Sequence, residues 1–97
     1  MDTDYNQKLY RIIRALNHPV RIKILYYLSD HGKSNVTNLV NQVNISQPAV
    51  SRHLRILADA QLITSQQSGK EKLYQLTDEH VNELLKVLHS HIEEQID

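Results

Sequence analysis

A mainly α-helical domain carrying one small β-hairpin is the fold class this sequence predicts, and three observations predict it. Apolar residues recur at helical spacing in five separate segments, and two short strand-like stretches lie next to each other around Gly69. No repeat, linker or low-complexity boundary divides the 97 residues, so residues 1–97 are expected to form one domain. A multidomain enzyme with separate cofactor and substrate lobes is excluded at this length. Apolar residues make up 40% and charged residues 23%, close to a globular average and far from a disordered chain.

Leu9, Ile12, Ile13 and Leu16 recur at i, i+3, i+4, i+7 and predict an amphipathic helix over roughly 4–17. Asn17-His18-Pro19 interrupts it, and Pro19 suits the first turn of a second helix with Val20, Ile24, Leu25 and Leu28 inward, stopping near Gly32. Val36, Leu39, Val40 and Val43 define a short third helix over 36–43 that ends around Asn44. Ser46 is a good N-cap for a fourth helix, in which Val50, Leu54 and Leu57 repeat through about Ala58. The stretches 62–64 and 72–76, separated by a polar segment with Gly69 at the turn, predict the hairpin. Thr77 is expected to cap a fifth helix over about 78–95, with Val81, Leu84, Leu85, Leu88 and Ile92 inward. Four helices, a hairpin and a fifth helix make a winged helix-turn-helix arrangement.

A domain this small buries a limited core, and with no cysteine it has no disulfide to stabilise it, so self-association or a metal is a natural source of added stability. Missing cysteine also removes thiolate metal sites and catalytic thiols, and it agrees with a reducing cytoplasm. No apolar run reaches the length of a membrane span, and the acidic start, Asp2 and Asp4, is unlike a signal peptide. A soluble cytoplasmic protein is expected. Net charge is zero but unevenly spread: +3 over 1–45, +2 over 46–76 and −5 over 77–97. The basic body suits a polyanion and the acidic final helix suits cations.

The fourth helix offers donors and acceptors of the kind that meet phosphates and base edges in the major groove of DNA. Ser46, Gln47, Ser51, Arg52 and Arg55 provide them, with His53 as a further candidate contact. Arg52 can pair with guanine or a phosphate and Gln47 with adenine. Lys70 and Lys72 on the hairpin can reach flanking phosphates. These eight residues are the candidate DNA-binding set.

The run from Ala15 to Leu25, ALNHPVRIKIL, followed by Ile45 to Leu54, ISQPAVSRHL, resembles the ArsR/SmtB family of bacterial winged-helix repressors over nearly the whole chain. That resemblance implies a homodimer through the first and last helices, bound to a double-stranded operator of dyad symmetry and released by an inducer. Two-fold geometry would space the half-sites by about one helical turn.

Three of the six histidines fall in the acidic final helix. Asp78 and His80 stand at its start, and His91 and Glu94 are i, i+3 near its end. His80 and His91 point the same way but sit about 16 Å apart along the axis, so one helix cannot bring all four to one ion. Two such helices running antiparallel across a dyad can, each site taking Asp78 and His80 from one chain and His91 and Glu94 from its partner. Four N/O donors suit tetrahedral Zn²⁺, with Co²⁺ a mimic and Ni²⁺ less favoured. The spacing is also similar to the inter-subunit zinc-sensing site in one branch of the family. The position of the cysteine motif used by arsenic, lead and cadmium sensors holds Thr37-Asn38-Leu39-Val40 here, which has no soft ligand.

The expectation is therefore a zinc-responsive transcriptional repressor and not an enzyme. A metal-independent regulator would carry the same DNA-facing helix. A small zinc hydrolase would need a His-Glu-x-x-His helix or a nucleophile loop, neither of which the sequence contains. A protein-docking winged helix would lack salt-dependent DNA affinity.

Overall fold

A computed structural model describes residues 2–96 and shows a winged helix-turn-helix: five helices and a three-stranded antiparallel sheet. Asp2 caps α1 (Thr3–Leu16) by accepting from the Tyr5 amide at 2.7 Å. Pro19 opens α2 (Pro19–His31), where its missing N–H costs nothing, and Gly32 ends it at φ +90°, a conformation L side chains rarely adopt. Strand β1 (Lys33–Ser34) follows, then α3 (Val36–Val43), capped by Asn35. Asn44 at φ 57° closes α3 in the left-handed conformation that Asn tolerates, giving the tight turn into α4 (Gln47–Asp59).

The end of α4 is a Schellman motif: Leu62 N–H donates to Leu57 at 3.0 Å and Gln61 N–H to Ala58 at 2.9 Å. Gln61 therefore occupies a φ of 60° where glycine is the usual choice. β2 (Ile63–Ser68) and β3 (Glu71–Leu76) form the wing, and α5 (Glu79–Gln95) completes the chain.

Sheet order is β1-β3-β2, with Lys33 and Ser34 paired to Gln75 and Tyr74. The hairpin is longer than the apolar pattern predicted. Gln66, Gln67, Ser68 and Glu71, expected as a separating loop, are paired strand residues, and only Gly69 and Lys70 turn the chain. Left-handed φ on the first of those two residues matches a type II′ hairpin turn. Both faces of this ribbon are solvated, so hydrophobic alternation could not reveal it.

One core cluster draws on every helix: Ala15, Ile24, Leu25, Leu28, Leu39, Val50, Leu54, Leu57, Val81 and Leu85, with Leu62 and Ile63 beneath the wing. Each large aliphatic member contributes about 1.5–3 kcal/mol by leaving water. Two expectations change at α5. Its cap is Asp78, not Thr77; Thr77 is partly buried, and its hydroxyl finds no partner among the described residues. Of the five apolar residues expected inward, only Val81 and Leu85 are buried, while Leu84, Leu88 and Ile92 stay 38%, 38% and 50% exposed. Ile13 of α1 is exposed as well. No helix among the described residues is long and apolar enough to cross a membrane.

Candidate nucleic-acid interface and metal ligands

Helix α4 begins at the surface. Ser46 accepts from the Ala49 amide at 3.3 Å, which fixes the first turn, and its hydroxyl proton is left free to donate. Gln47, Ser51, Arg52 and Arg55 are exposed, with Arg52 and Arg55 on the side away from Val50, Leu54 and Leu57. The unpaired amides of the first turn add a partial positive charge at the same end. Ser51, Lys70 and Lys72 border one depression of about 340 Å³ between α3, α4 and the wing, which sets the two wing lysines beside Ser51 of α4. Lys72 lies 5.7 Å from the centre of the Tyr74 ring, a cation–π contact that steadies its stem. Within that rim Glu71 Oε1 accepts from the Asn35 side-chain Nδ2 at 2.6 Å, joining the wing to the start of α3.

His53 departs from this picture. It is 9% exposed and faces inward, its ring centre 4.4 Å from that of His18 and its Nδ1 3.2 Å from the Arg21 guanidinium. Burial first, then the neighbouring His18, Arg21 and Arg52, hold its pKa below the ordinary imidazole range. The sequence contained the signal: residue 53 completes the i, i+3, i+4, i+7 set with Val50, Leu54 and Leu57. Of the eight candidate contacts, the other seven are at the surface.

The four candidate ligands form two pairs at opposite ends of α5. Asp78 caps the helix through Oδ1, accepting from His80 N–H at 3.0 Å and Val81 N–H at 3.3 Å, which leaves Oδ2 free. His80 Nδ1 lies 3.5 Å from the same carboxylate, and its side chain is 90% exposed. At the other end His91 and Glu94 line one shallow depression with Val87. Among the described residues no three potential ligands converge within the chain. The exposed strip Leu84, Leu88 and Ile92 runs between the two pairs on α5.

Two histidines outside these sets have structural partners. His18 caps α2 by accepting from the Val20 amide at 3.1 Å, and His31 stacks on Tyr27 with ring centres 4.1 Å apart.

Comparison with known proteins adds sequence and fold relatives. Residues 18–65 match the model of the bacterial regulatory protein, arsR family. The HTH-type transcriptional repressor SmtB of Mycobacterium tuberculosis is 43% identical over 70 residues, covering 72% of this chain and 51% of the repressor. The arsenical resistance operon repressor of Bacillus subtilis is 41% identical, over 84% of this chain and 73% of its own. This chain thus spans about half the length of the mycobacterial relative. Among solved structures, a homodimeric winged helix-turn-helix DNA-binding domain from Mycobacterium bovis superposes with a TM-score of 0.88 at 21% identity, over 95% of this chain and 84% of that one.

Proposed function

The chain belongs to the arsR family of bacterial regulatory proteins, regulators and not enzymes, and from that premise we propose that it is a homodimeric repressor that leaves its operator when zinc binds between the two α5 helices. The exposed polar residues of α4, of which Ser51 shares a concave surface with two wing lysines, carry the DNA reading. Arg52 and Gln47 are the base readers, with Ser46, Ser51 and Arg55 on α4 and Lys70 and Lys72 on the wing holding phosphates.

The dimer reading rests on the apolar strip of α5, Leu84, Leu88 and Ile92, and on the exposed Tyr5, Tyr10 and Ile13 of α1. A monomer in water gains nothing from presenting this surface, and a second copy would bury it. Antiparallel packing of two α5 helices would set the Asp78 and His80 pair of one protomer beside His91 and Glu94 of the other.

These four residues fit a borderline divalent ion: two imidazoles and two carboxylates, all exposed, with the Asp78 cap already using only one carboxylate oxygen. When bound, the ion supplies a cationic cross-link between acidic helix ends. The absence of cysteine separates this chain from any thiolate-based response, whatever its relatives detect. Metal and operator must weaken each other equally if they favour different dimer geometries, and a typical coupling of about 1–3 kcal/mol changes affinity about 5- to 150-fold.

The test is fluorescence anisotropy of a duplex enriched by the protein from a random-sequence pool, titrated with zinc and then with chelator. Release by zinc and recovery with chelator are expected, and His80→Ala or His91→Ala should keep DNA affinity and lose the response. DNA that stays bound at saturating zinc would sink the sensing claim alone. Failure to enrich any duplex would sink the DNA claim.

A further inference from the structure

Arg21 makes three contacts that no DNA or metal role requires. Its Nε donates to the Ala15 carbonyl at 2.7 Å and its Nη2 to the Arg14 carbonyl at 3.0 Å, both in the last turn of α1. Its Nη1 lies 3.2 Å from Nδ1 of His53, 32 positions away in the middle of α4. A guanidinium has no acceptor, so it must be the donor and His53 Nδ1 the acceptor. His53 is therefore neutral with its proton on Nε2, and the contact exists only in that state. One side chain on α2 thus ties the end of α1 to the helix that presents Arg52.

We propose that Arg21 is the positioning residue of the DNA-facing helix, holding α4 to the end of α1 through a His53 imidazole that must remain unprotonated, so that acid releases the latch. This rests on the DNA reading given above. Every charged or titratable group at His53 works in the same direction: His18 and Arg21 come from α2 and Arg52 from α4 itself. A proton on His53 would turn its acceptor into a donor aimed at a donor, and would place a second cation against Arg21 with no carboxylate contributing among the described residues. His18, packed beside it, accepts from the Val20 amide through its own Nδ1 at 3.1 Å.

Two variants separate latch from packing. His53→Asn places a carbonyl oxygen near the position of Nδ1 and cannot titrate, whereas His53→Leu fills space and accepts nothing. On a duplex enriched by the wild-type chain from a random pool at pH 7.5, His53→Asn should bind as wild type does. His53→Leu and Arg21→Lys should bind about tenfold more weakly, the loss of roughly one charge-assisted hydrogen bond. As pH falls from 7.5 through the folded His53 pKa, which lies below the ordinary imidazole range, the wild type should lose affinity relative to His53→Asn.

Equal affinity of all four proteins, or parallel pH profiles of wild type and His53→Asn, would overturn the positioning role while leaving the DNA reading intact. Failure of the wild type to enrich any duplex would overturn both. Should the disruptive variants not fold, the wild-type ring decides by long-range ¹H–¹⁵N correlation. A neutral Nε2–H tautomer at pH 7 supports the latch, and an Nδ1–H or doubly protonated ring overturns it.

Discussion

Asp78 is given two roles that a pair of substitutions can separate. As a cap, its Oδ1 serves two amides, those of His80 and Val81. As a ligand it needs a negative charge. Asp78→Asn keeps a capping oxygen and loses the charge, while Asp78→Ala loses both. Removing an N-cap costs typically about 1 kcal/mol, and losing a carboxylate beside a helix N-terminus adds about 0.3–1 kcal/mol at an exposed site. Because the side chain is half exposed, water can take over the freed amides and the low end of each range applies. Asp78→Ala should therefore destabilise the metal-free protein by about 1–1.5 kcal/mol, and Asp78→Asn by about 0.3–0.5 kcal/mol. At this chain length 1 kcal/mol shifts the melting point by about 4–8 °C. Calorimetric melts at one fixed protein concentration, with chelator present, measure these shifts.

Zinc binding should rank the same variants differently. Both should bind more weakly, by at least about tenfold, since even an outer-shell partner is worth that much. Asp78→Asn melting as low as Asp78→Ala would refute the cap. Asp78→Asn binding zinc as tightly as the wild type would refute the ligand role, whatever happened to the melting point.

Leu88→Glu places a charge in the middle of the exposed strip but outside the core, so the protomer should stay folded while the dimer weakens. Each leucine is 38% exposed in the protomer, so the two per dimer lose about 1–2 kcal/mol of burial between them, and sedimentation showing an unchanged dimer would refute the seam. Gln61→Gly relieves a left-handed φ that costs a side-chain-bearing residue about 1–2 kcal/mol, against about 0.5–1 kcal/mol of extra glycine entropy. A net gain of about 0.5–1 kcal/mol in the urea midpoint is expected, and a loss would show that the Schellman geometry is not adopted. The lowered pKa of His53 makes stability fall with acid. The unfolded imidazole takes its proton near pH 6.5, the folded one only at lower pH, so the contribution is complete above about 6.5 and lost as pH falls through the folded value. Denaturation at pH 7.5 and 5.5 should show the wild type losing more than His53→Asn, and the opposite order would refute the shift.

Helix boundaries were legible because their signals are local. Pro19, Gly32, Asn44 and Ser46 each constrain φ or satisfy an end of the backbone ladder, and the observed ends fall on or beside them. Where two capping residues stood side by side, Thr77 and Asp78, sequence could not say which side chain would face the free amides, because that depends on how the chain leaves β3. The wing was underestimated because a ribbon wet on both faces has no alternation to read. Strand β1 was missed because two residues have no period at all. On α4, outward donors were identified by their distance from the apolar seam. His53 was assigned by its chemistry when its spacing placed it with Val50 and Leu57. The two ligand pairs were placed at opposite ends of one helix by arithmetic alone, since the rise per residue is fixed once a segment is helical.

The short strand β1 sets how the hairpin behaves mechanically. It supports β3 at only two rungs, opposite Tyr74 and Gln75, and beyond them the wing is a two-strand ribbon tied back to α3 through Asn35 and Glu71. A two-strand ribbon is less stiff than a three-strand one, so once the Asn35–Glu71 bond opens Lys70 and Lys72 can swing about the Tyr74 rung while Leu62 and Ile63 stay buried below it. Two ammonium groups on a sprung arm can follow a backbone whose groove widens or narrows, and the interior never has to move.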